Sequence, residues 1–169
     1  MLRSALVLAI SVLLVGCQDD GTTRPDLPEP VAETRDAILD AAQDRDYDAI
    51  RPLIKRDRFL SDYGFGRTGP DPVAQWRKLG DKPLATMEVV LQMRHQVRET
   101  GEGTLYQWPR FDNNTEPEDI TDDERRQLRK VLTEAEYREA TMPDYGYTGP
   151  KVGILANGTW WFFTTRREP

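Results

Sequence analysis

Side chains that could act as nucleophiles or bind metals are few in this chain of 169 residues. It contains one cysteine, Cys17, and one histidine, His95, and Ser61 is the only serine after residue 16. A Ser-His-Asp triad would have to use both Ser61 and His95, and a single histidine cannot form a histidine-rich zinc site. His95 also falls near the end of a predicted helix, where the helix dipole favours a protonated imidazole. The sequence therefore favours a structural role for His95 over a catalytic one.

Acidic residues are the only catalytic groups that the composition leaves freely available. Two carboxyl groups about 5 to 9.5 Å apart can hydrolyse a glycosidic bond, so hydrolysis of a glycan is one hypothesis. The chain has 29 acidic residues, so the choice of a pair is weakly constrained. The conceivable members of such a pair are Asp62, Glu88, Glu102 and Asp144.

Two further motifs lack the sequence context that their ligand sites require. Residues 112–119 are rich in acidic and amide side chains, yet Pro117 stands where an EF-hand needs glycine and Ile120 takes a ligand position. Residues 64–69 match G-x-G-x-x-G, which in a dinucleotide site follows a parallel strand and opens a helix. No such strand pattern precedes them here. We therefore predict no metal and no cofactor, and a solvated acidic loop at residues 112–119.

The surroundings of Cys17 carry the most specific signal in the sequence. A charged start at Arg3 and an apolar stretch over residues 5–15 form the pattern of a secretory signal. This stretch is shorter than the roughly 20 residues that cross a membrane. The segment Leu14-Val15-Gly16-Cys17 resembles the lipobox of bacterial lipoproteins. The resemblance implies cleavage before Cys17 and attachment of acyl chains, such as palmitate, to that residue.

The lipoprotein resemblance also implies where the protein resides. Two or three acyl chains anchor a protein stably without a membrane-spanning segment. In this family an aspartate directly after the cysteine favours the inner membrane, and Gln18 occupies that position. We therefore expect an extracytoplasmic protein of the cell envelope, anchored in the outer membrane if the source is a diderm bacterium. With no second cysteine, an exported domain has no internal disulfide, so packing must stabilise it.

The composition divides the chain into a signal peptide at residues 1–16, a tether and one domain. Residues 17–30 are polar and contain three prolines, which is typical of an extended linker. Residues 31–169 are long enough for a single core. The formal net charge is −6 and becomes one unit more negative when Arg3 is removed with the signal peptide. This charge disfavours nucleic acid as a partner.

The beginning of the domain predicts helices. Apolar residues recur at helical spacing over residues 31–42, and a second short apolar segment follows at residues 50–54. The helix together with Asp46-Tyr47-Asp48-Ala49-Ile50 resembles the opening of nuclear transport factor 2-like domains. This resemblance, which covers residues 31–54, implies a cone-shaped α+β fold with a pocket.

Four later segments carry helix-capping patterns, each followed by apolar residues at helical spacing. The capping patterns are Asp71 ahead of Pro72, Asp81, Thr121 with Glu124, and Thr133 with Glu136. The residues that these helices are expected to bury are Val73, Trp76, Leu79, Leu84, Met87, Val90, Leu91, Leu128, Val131, Leu132 and Tyr137.

The C-terminal part of the chain predicts a β-hairpin. Apolar residues at 151–156 and 159–163 flank Asn157-Gly158, the preferred type I′ turn. Residues 104–108 predict a third strand that ends at Pro109. We expect an α+β fold in which several short helices pack on a small antiparallel sheet ending in this hairpin. A two-residue loop would pair Leu155 with Trp160, Ile154 with Trp161, Gly153 with Phe162, and Val152 with Phe163.

Aromatic residues provide a candidate binding surface. The loops Asp62-Tyr63-Gly64-Phe65 and Asp144-Tyr145-Gly146-Tyr147 share a pattern and could line one cleft. Both faces of the predicted hairpin are apolar, so one face could offer aromatic side chains to a ligand. The predicted binding surface consists of Tyr63, Phe65, Tyr145, Tyr147 and Trp160.

These observations favour a non-catalytic binding or accessory domain over an enzyme. The expected partners are the membrane, through the lipid on Cys17, and an envelope protein or peptidoglycan. The alternatives are a carboxylate-dependent hydrolase of envelope glycan and a carrier of a small apolar ligand. The hydrolase needs two carboxyl groups in one cleft, whereas the carrier needs a sizeable pocket.

Overall fold

A computed structural model of the chain describes residues 27–61, 64–65, 70–143 and 145–165, with only the backbone at residues 64–65. Cys17 and Tyr63 lie outside the described residues, as does the side chain of Phe65. The helices are α1 (Glu29–Gln43), α2 (Tyr47–Ile50), α3 (Pro72–Lys78), α4 (Lys82–Gln92), α5 (Asp122–Leu128) and α6 (Glu134–Ala140). The strands are β1 (Leu60–Ser61), β2 (Gly64–Phe65), β3 (Gln96–Thr100), β4 (Gly103–Trp108), β5 (Lys151–Leu155) and β6 (Trp160–Thr164).

The predicted α+β fold class is confirmed, and the sheet is larger than the sequence indicated. Within the described residues it has six strands in the order β2-β1-β6-β5-β4-β3. Adjacent strands run antiparallel except β1 and β6, which are parallel. The sheet is therefore mixed, and the prediction of a purely antiparallel sheet is wrong at this one pairing.

The first helix begins earlier than predicted. Helix α1 starts at Glu29 rather than at residue 31, and Leu27 packs against the core. The last residues of the predicted tether therefore belong to the folded domain. Near its start, the Thr34 hydroxyl donates a hydrogen bond of 2.7 Å to the Gly158 carbonyl. The chain thus enters the domain beside the turn that joins β5 and β6.

Helix capping follows the sequence closely. The Asp71 side chain accepts from the Val73 and Ala74 N–H groups at the start of α3. Both predicted capping boxes are present, at α5 and at α6. Asp81 precedes α4, but its side chain makes no capping hydrogen bond. Local signals thus place all four helix starts correctly, and the predicted cap forms at three of them.

The hairpin between β5 and β6 has a longer loop than predicted. The Gly158 N–H donates to the Leu155 carbonyl, and the Leu155 N–H donates to the Thr159 carbonyl. Gly158 has a φ of +79°, whereas Asn157 does not adopt a positive φ, so the turn is not type I′. This geometry is that of a three-residue loop with glycine in the left-handed position.

The longer loop changes the pairing next to the turn. Farther from it, the predicted pairs Val152 with Phe163 and Gly153 with Phe162 are confirmed. Ile154 instead pairs with Trp160, and a bulge takes up the extra residue between Trp160 and Phe162. A bulge reverses the alternation of side chains along its strand. Trp160 and Phe163, three residues apart, therefore both enter the same core.

Two clusters of buried side chains form the interior. The larger joins α1, α3 and α4 to one face of the sheet, and it includes edge-on and stacked contacts among Phe59, Trp76, Trp160 and Phe163. The smaller surrounds Phe111 and Tyr147 and involves α5 and α6. All members of both clusters lie within residues 27–163. The chain from residue 17 onward therefore retains the complete described core.

Candidate functional site

Of the residues predicted to form an aromatic binding surface, the structure buries two and exposes one. Trp160 and Tyr147 are each 1% exposed, so their placement on a binding surface is wrong. The Trp160 indole N–H donates to the Phe162 carbonyl at 2.9 Å, and the Tyr147 hydroxyl donates to the Pro150 carbonyl at 3.3 Å. Burial raises the pKa of the Tyr147 hydroxyl. Only Tyr145, which is 58% exposed, has a side chain that the structure describes as available to a partner.

The candidate catalytic residues that the structure describes lie on different elements of the fold. Ser61 is buried in β1. His95 lies between α4 and β3, where its ring contacts Tyr106 and Trp108. Glu88 forms an ion pair of 2.8 Å with Arg45 on the surface of α4, and Glu102 lies in the turn between β3 and β4. Asp62 and Asp144 lie outside the described residues.

The acidic loop at residues 112–119 uses its polar side chains within the loop. The Asp112 carboxylate accepts from the Asn114 N–H at 2.9 Å and from the Thr115 hydroxyl at 3.4 Å. Glu116 and Asp119 form a capping box around a short 3₁₀ helix. Among the described residues, no group of three or more histidine, cysteine, aspartate or glutamate side chains is placed to hold a metal ion. These contacts give the loop a structural role.

A groove of about 890 Å³ lies between the start of α4 and α6. One wall comes from the α3–α4 corner and the first turns of α4, and the other from α6 and the chain that follows it. This α4–α6 groove is lined by Leu79, Lys82, Pro83, Thr86, Leu132, Glu136, Glu139, Ala140, Met142, Tyr145, Thr148, Gly149, Pro150 and Thr165. Its volume falls within the range of roughly 300 to 1,000 Å³ that is typical of small-molecule sites.

Backbone hydrogen bonds hold the walls of the groove in place. On one side, the Tyr47 hydroxyl donates to the Gly80 carbonyl at 2.7 Å, which fixes the α3–α4 corner. On the other side, the Tyr147 N–H donates to the Asp112 carbonyl at 2.8 Å, and the Thr148 N–H donates to the Ala140 carbonyl at 2.9 Å. The chain after α6 is thus tied both to α6 and to the acidic loop. The groove is consequently framed by fixed segments of backbone.

Exposed apolar side chains are concentrated at the groove. In the described part of the chain five large apolar residues are exposed, and Leu79, Met142 and Tyr145 among them line this one groove. Their exposures are 53%, 46% and 58%. Clustered apolar exposure of this kind marks binding surfaces, whereas isolated apolar residues are ordinary. The groove is therefore the best candidate site in this structure.

Two residues of the groove were predicted to be core residues. Leu79 follows Val73 and Trp76 at helical spacing, but α3 ends at Lys78 and Leu79 occupies its C-cap. The chain then turns at Gly80, which has a φ of +66°, and Leu79 comes to lie on the surface. Leu132 is half-buried at the edge of the smaller cluster, where it also lines the groove. The prediction that Leu79 is buried is wrong.

An ion pair bridges the two walls. Lys82 Nζ lies 2.6 Å from Glu136 Oε1. The other carboxylate oxygen of Glu136 accepts from the Thr133 N–H at 2.7 Å and from the Thr133 hydroxyl at 2.9 Å. The hydrogen bond from Lys82, followed by those from Thr133, lowers the pKa of Glu136 to about 2. At neutral pH the pair is therefore fully charged, and each partner neutralises the other.

No protein-family model matches this chain, and no curated protein or solved structure shows significant similarity to it. In the described part of the chain, no helix has the length and apolar character needed to cross a membrane.

Proposed function

We propose that this protein is a lipid-anchored envelope lipoprotein whose domain binds an apolar ligand, without catalysing a reaction, in the α4–α6 groove. The observation that carries the binding role is the concentration of exposed Leu79, Met142 and Tyr145 around one groove of about 890 Å³. The anchoring role is supported by the lipobox resemblance at Leu14-Val15-Gly16-Cys17. The resemblance of residues 31–54 to nuclear transport factor 2-like domains stays a prediction.

The hydrolase alternative has weaker support. Glu136 and Glu139 both line the groove, so two carboxyl groups do share one cleft. A glycosidase, however, requires a general acid that holds its proton near neutral pH. Glu136 has a pKa of about 2 and is hydrogen-bonded to Lys82 and Thr133. Glu136 is therefore unsuited to serve as that general acid.

Groove binding can be tested with N-phenyl-1-naphthylamine, a neutral apolar dye that fluoresces in apolar sites. We expect the chain from residue 17 onward, with Cys17 replaced by serine, to bind the dye. Leu79→Ser or Met142→Ser should each weaken binding about five- to tenfold, because either change removes roughly 40 to 60 Å² of apolar contact. Fluorescence titration gives the dissociation constants.

Val97→Ser provides the matched control for this titration. Val97 is 46% exposed, as Met142 is, but it lies on β3 and does not line the groove. We expect Val97→Ser to leave dye affinity unchanged. Equal losses in Val97→Ser and Met142→Ser would show that the dye binds nonspecifically and would contradict the groove assignment.

Anchoring can be tested by replacing Cys17 with alanine in the full chain. Because Cys17 is the only cysteine, we expect Cys17→Ala to abolish incorporation of radiolabelled palmitate in a diderm bacterial host. The neighbouring Gln18→Ala change should leave incorporation intact. Palmitate labelling that persists in Cys17→Ala, or is absent from the unaltered chain, would contradict lipid attachment at this residue.

A further inference from the structure

We infer that the ligand of the α4–α6 groove is a cationic amphiphile, an apolar chain with a positively charged head, and that Glu139 binds the head. This inference rests on the proposed function and adds the charge of the ligand to it. It follows from the way charges are distributed around a largely apolar groove.

Among the described residues that line the groove, Lys82 is the one positive side chain, and its charge is already neutralised. Lys82 is paired with Glu136 at 2.6 Å, across the groove. Glu136 in turn is held by Thr133 at the N-terminus of α6, so its two oxygens both have partners. Breaking this pair to bind an anionic ligand through Lys82 would leave the Glu136 carboxylate without its cation. An anionic head is therefore disfavoured.

Glu139 supplies a negative charge that remains uncompensated. It is exposed and follows Glu136 by three residues on α6, so the two side chains share a helix face. No cation of the described residues lies within ion-pair distance of Glu139. The described charged residues that line the groove, Lys82, Glu136 and Glu139, sum to a net charge of −1. A cationic head complements this charge, and the chain's overall charge of −6 favours its approach.

Tyr145 adds a second feature suited to a cation. It lines the same groove and is 58% exposed. The face of an aromatic ring attracts cations and is a common element of sites that bind quaternary ammonium groups. An apolar chain can lie against Leu79 and Met142, which line the groove as well. Apolar lining, an available carboxylate and an exposed aromatic ring together define the chemistry of the expected ligand.

The test compares three amphiphiles that share a dodecyl chain but differ in their heads. Dodecyltrimethylammonium, dodecyl maltoside and dodecyl sulfate are each titrated, below their critical micelle concentrations, against N-phenyl-1-naphthylamine bound to the chain from residue 17 onward. We expect the cationic amphiphile to displace the dye at about one tenth of the concentration that the anionic one requires. Glu139→Gln should reduce this ratio to about threefold or less, because an exposed ion pair changes affinity by up to about fivefold.

Glu102→Gln is the matched control, because it removes the same charge from an exposed position in the β3–β4 turn, outside the groove. It should leave the tenfold preference unchanged. Because Glu139 lines the groove, the dissociation constant of the dye is measured for each variant, and the displacement concentrations are corrected for it. If the dye binds but the three amphiphiles compete equally, or Glu102→Gln acts like Glu139→Gln, the inference is overturned while the groove remains a binding site. If the dye does not bind at all, the proposed function itself fails.

Discussion

Replacing Trp160 with alanine is expected to lower the free energy of unfolding by about 3 to 5 kcal/mol, the usual cost of truncating a buried aromatic residue. Trp160 is 1% exposed and lies in the larger core cluster. Its ring centroid is 4.9 Å from that of Phe59 and 6.2 Å from that of Trp76. The change can be measured by urea or guanidinium denaturation followed by tryptophan fluorescence or circular dichroism.

The adjacent residue provides the control. Trp161 occupies the bulge of β6 and is only partly buried, so Trp161→Ala should cost about 1 kcal/mol or less. The two substitutions remove the same side chain from neighbouring positions. If Trp160→Ala folds with unchanged stability and loses ligand binding instead, the original prediction of Trp160 as a surface residue would be correct and its burial wrong.

Replacing Gly146 with alanine is expected to destabilise the domain by about 2 to 4 kcal/mol. Gly146 has a φ of +63°, which disfavours any residue with a side chain. A Cβ atom at this position would also overlap the backbone of Asn113, and overpacking of this kind typically costs about 1 to 3 kcal/mol. Since Gly146 lies in the chain that forms one wall of the groove, dye binding should weaken as well. Chemical denaturation and the dye titration measure the two effects.

Gly80→Ala distinguishes the cost of a positive φ from the cost of overlap with a neighbouring backbone. Gly80 has a similar φ of +66°, but apart from its chain neighbours no atom of the described residues lies within 4 Å of the position where its Cβ would stand. It therefore reports the cost of the backbone conformation alone, about 1 to 2 kcal/mol. Equal destabilisation by Gly80→Ala and Gly146→Ala would contradict the close approach of Gly146 to Asn113.

Features that depend on neighbouring residues could be predicted from the sequence. The capping boxes at Thr121 and Thr133 satisfy backbone donors within one helical turn, so residue types alone reveal them. The buried stripe of α4 follows from apolar residues three and four positions apart. Local signals of this kind place α3 to α6 and the strands β4, β5 and β6. They need no information about distant parts of the chain.

Features that depend on distant residues could not be predicted. The parallel pairing of β1 with β6 joins segments about 100 residues apart, and two-residue strands carry no periodicity. The bulge in β6 turns the Trp160 side chain into the core and pairs Trp160 with Ile154. A two-residue Asn157-Gly158 loop without a bulge would pair Trp160 with Leu155 instead. An aromatic residue in a strand produces the same sequence pattern whether its side of the sheet is buried by other elements or exposed to solvent. The predicted surface therefore included two residues that the fold buries.

The groove could not be predicted from the sequence for a related reason. Its walls come from three segments that are far apart in sequence, at residues 79–86, 132–150 and 165. Leu79 was expected in the core because helical spacing continues past Lys78, whereas the helix stops there. Among the predicted surface residues whose side chains the structure describes, Tyr145 is the one that lines the groove. Composition alone gave no reason to associate it with Lys82 or Glu139.

The contact between the start of α1 and Gly158 determines which end of the domain an anchor would reach. The Thr34 hydroxyl donates a hydrogen bond to the Gly158 carbonyl, so the start of α1 lies at the closed end of the last hairpin. Pro150 and Thr165, which line the groove, lie at the open end of the same hairpin. Five strand residues separate these ends, about 17 Å. An anchor attached ahead of α1 would therefore join the domain at the end of the hairpin opposite the groove.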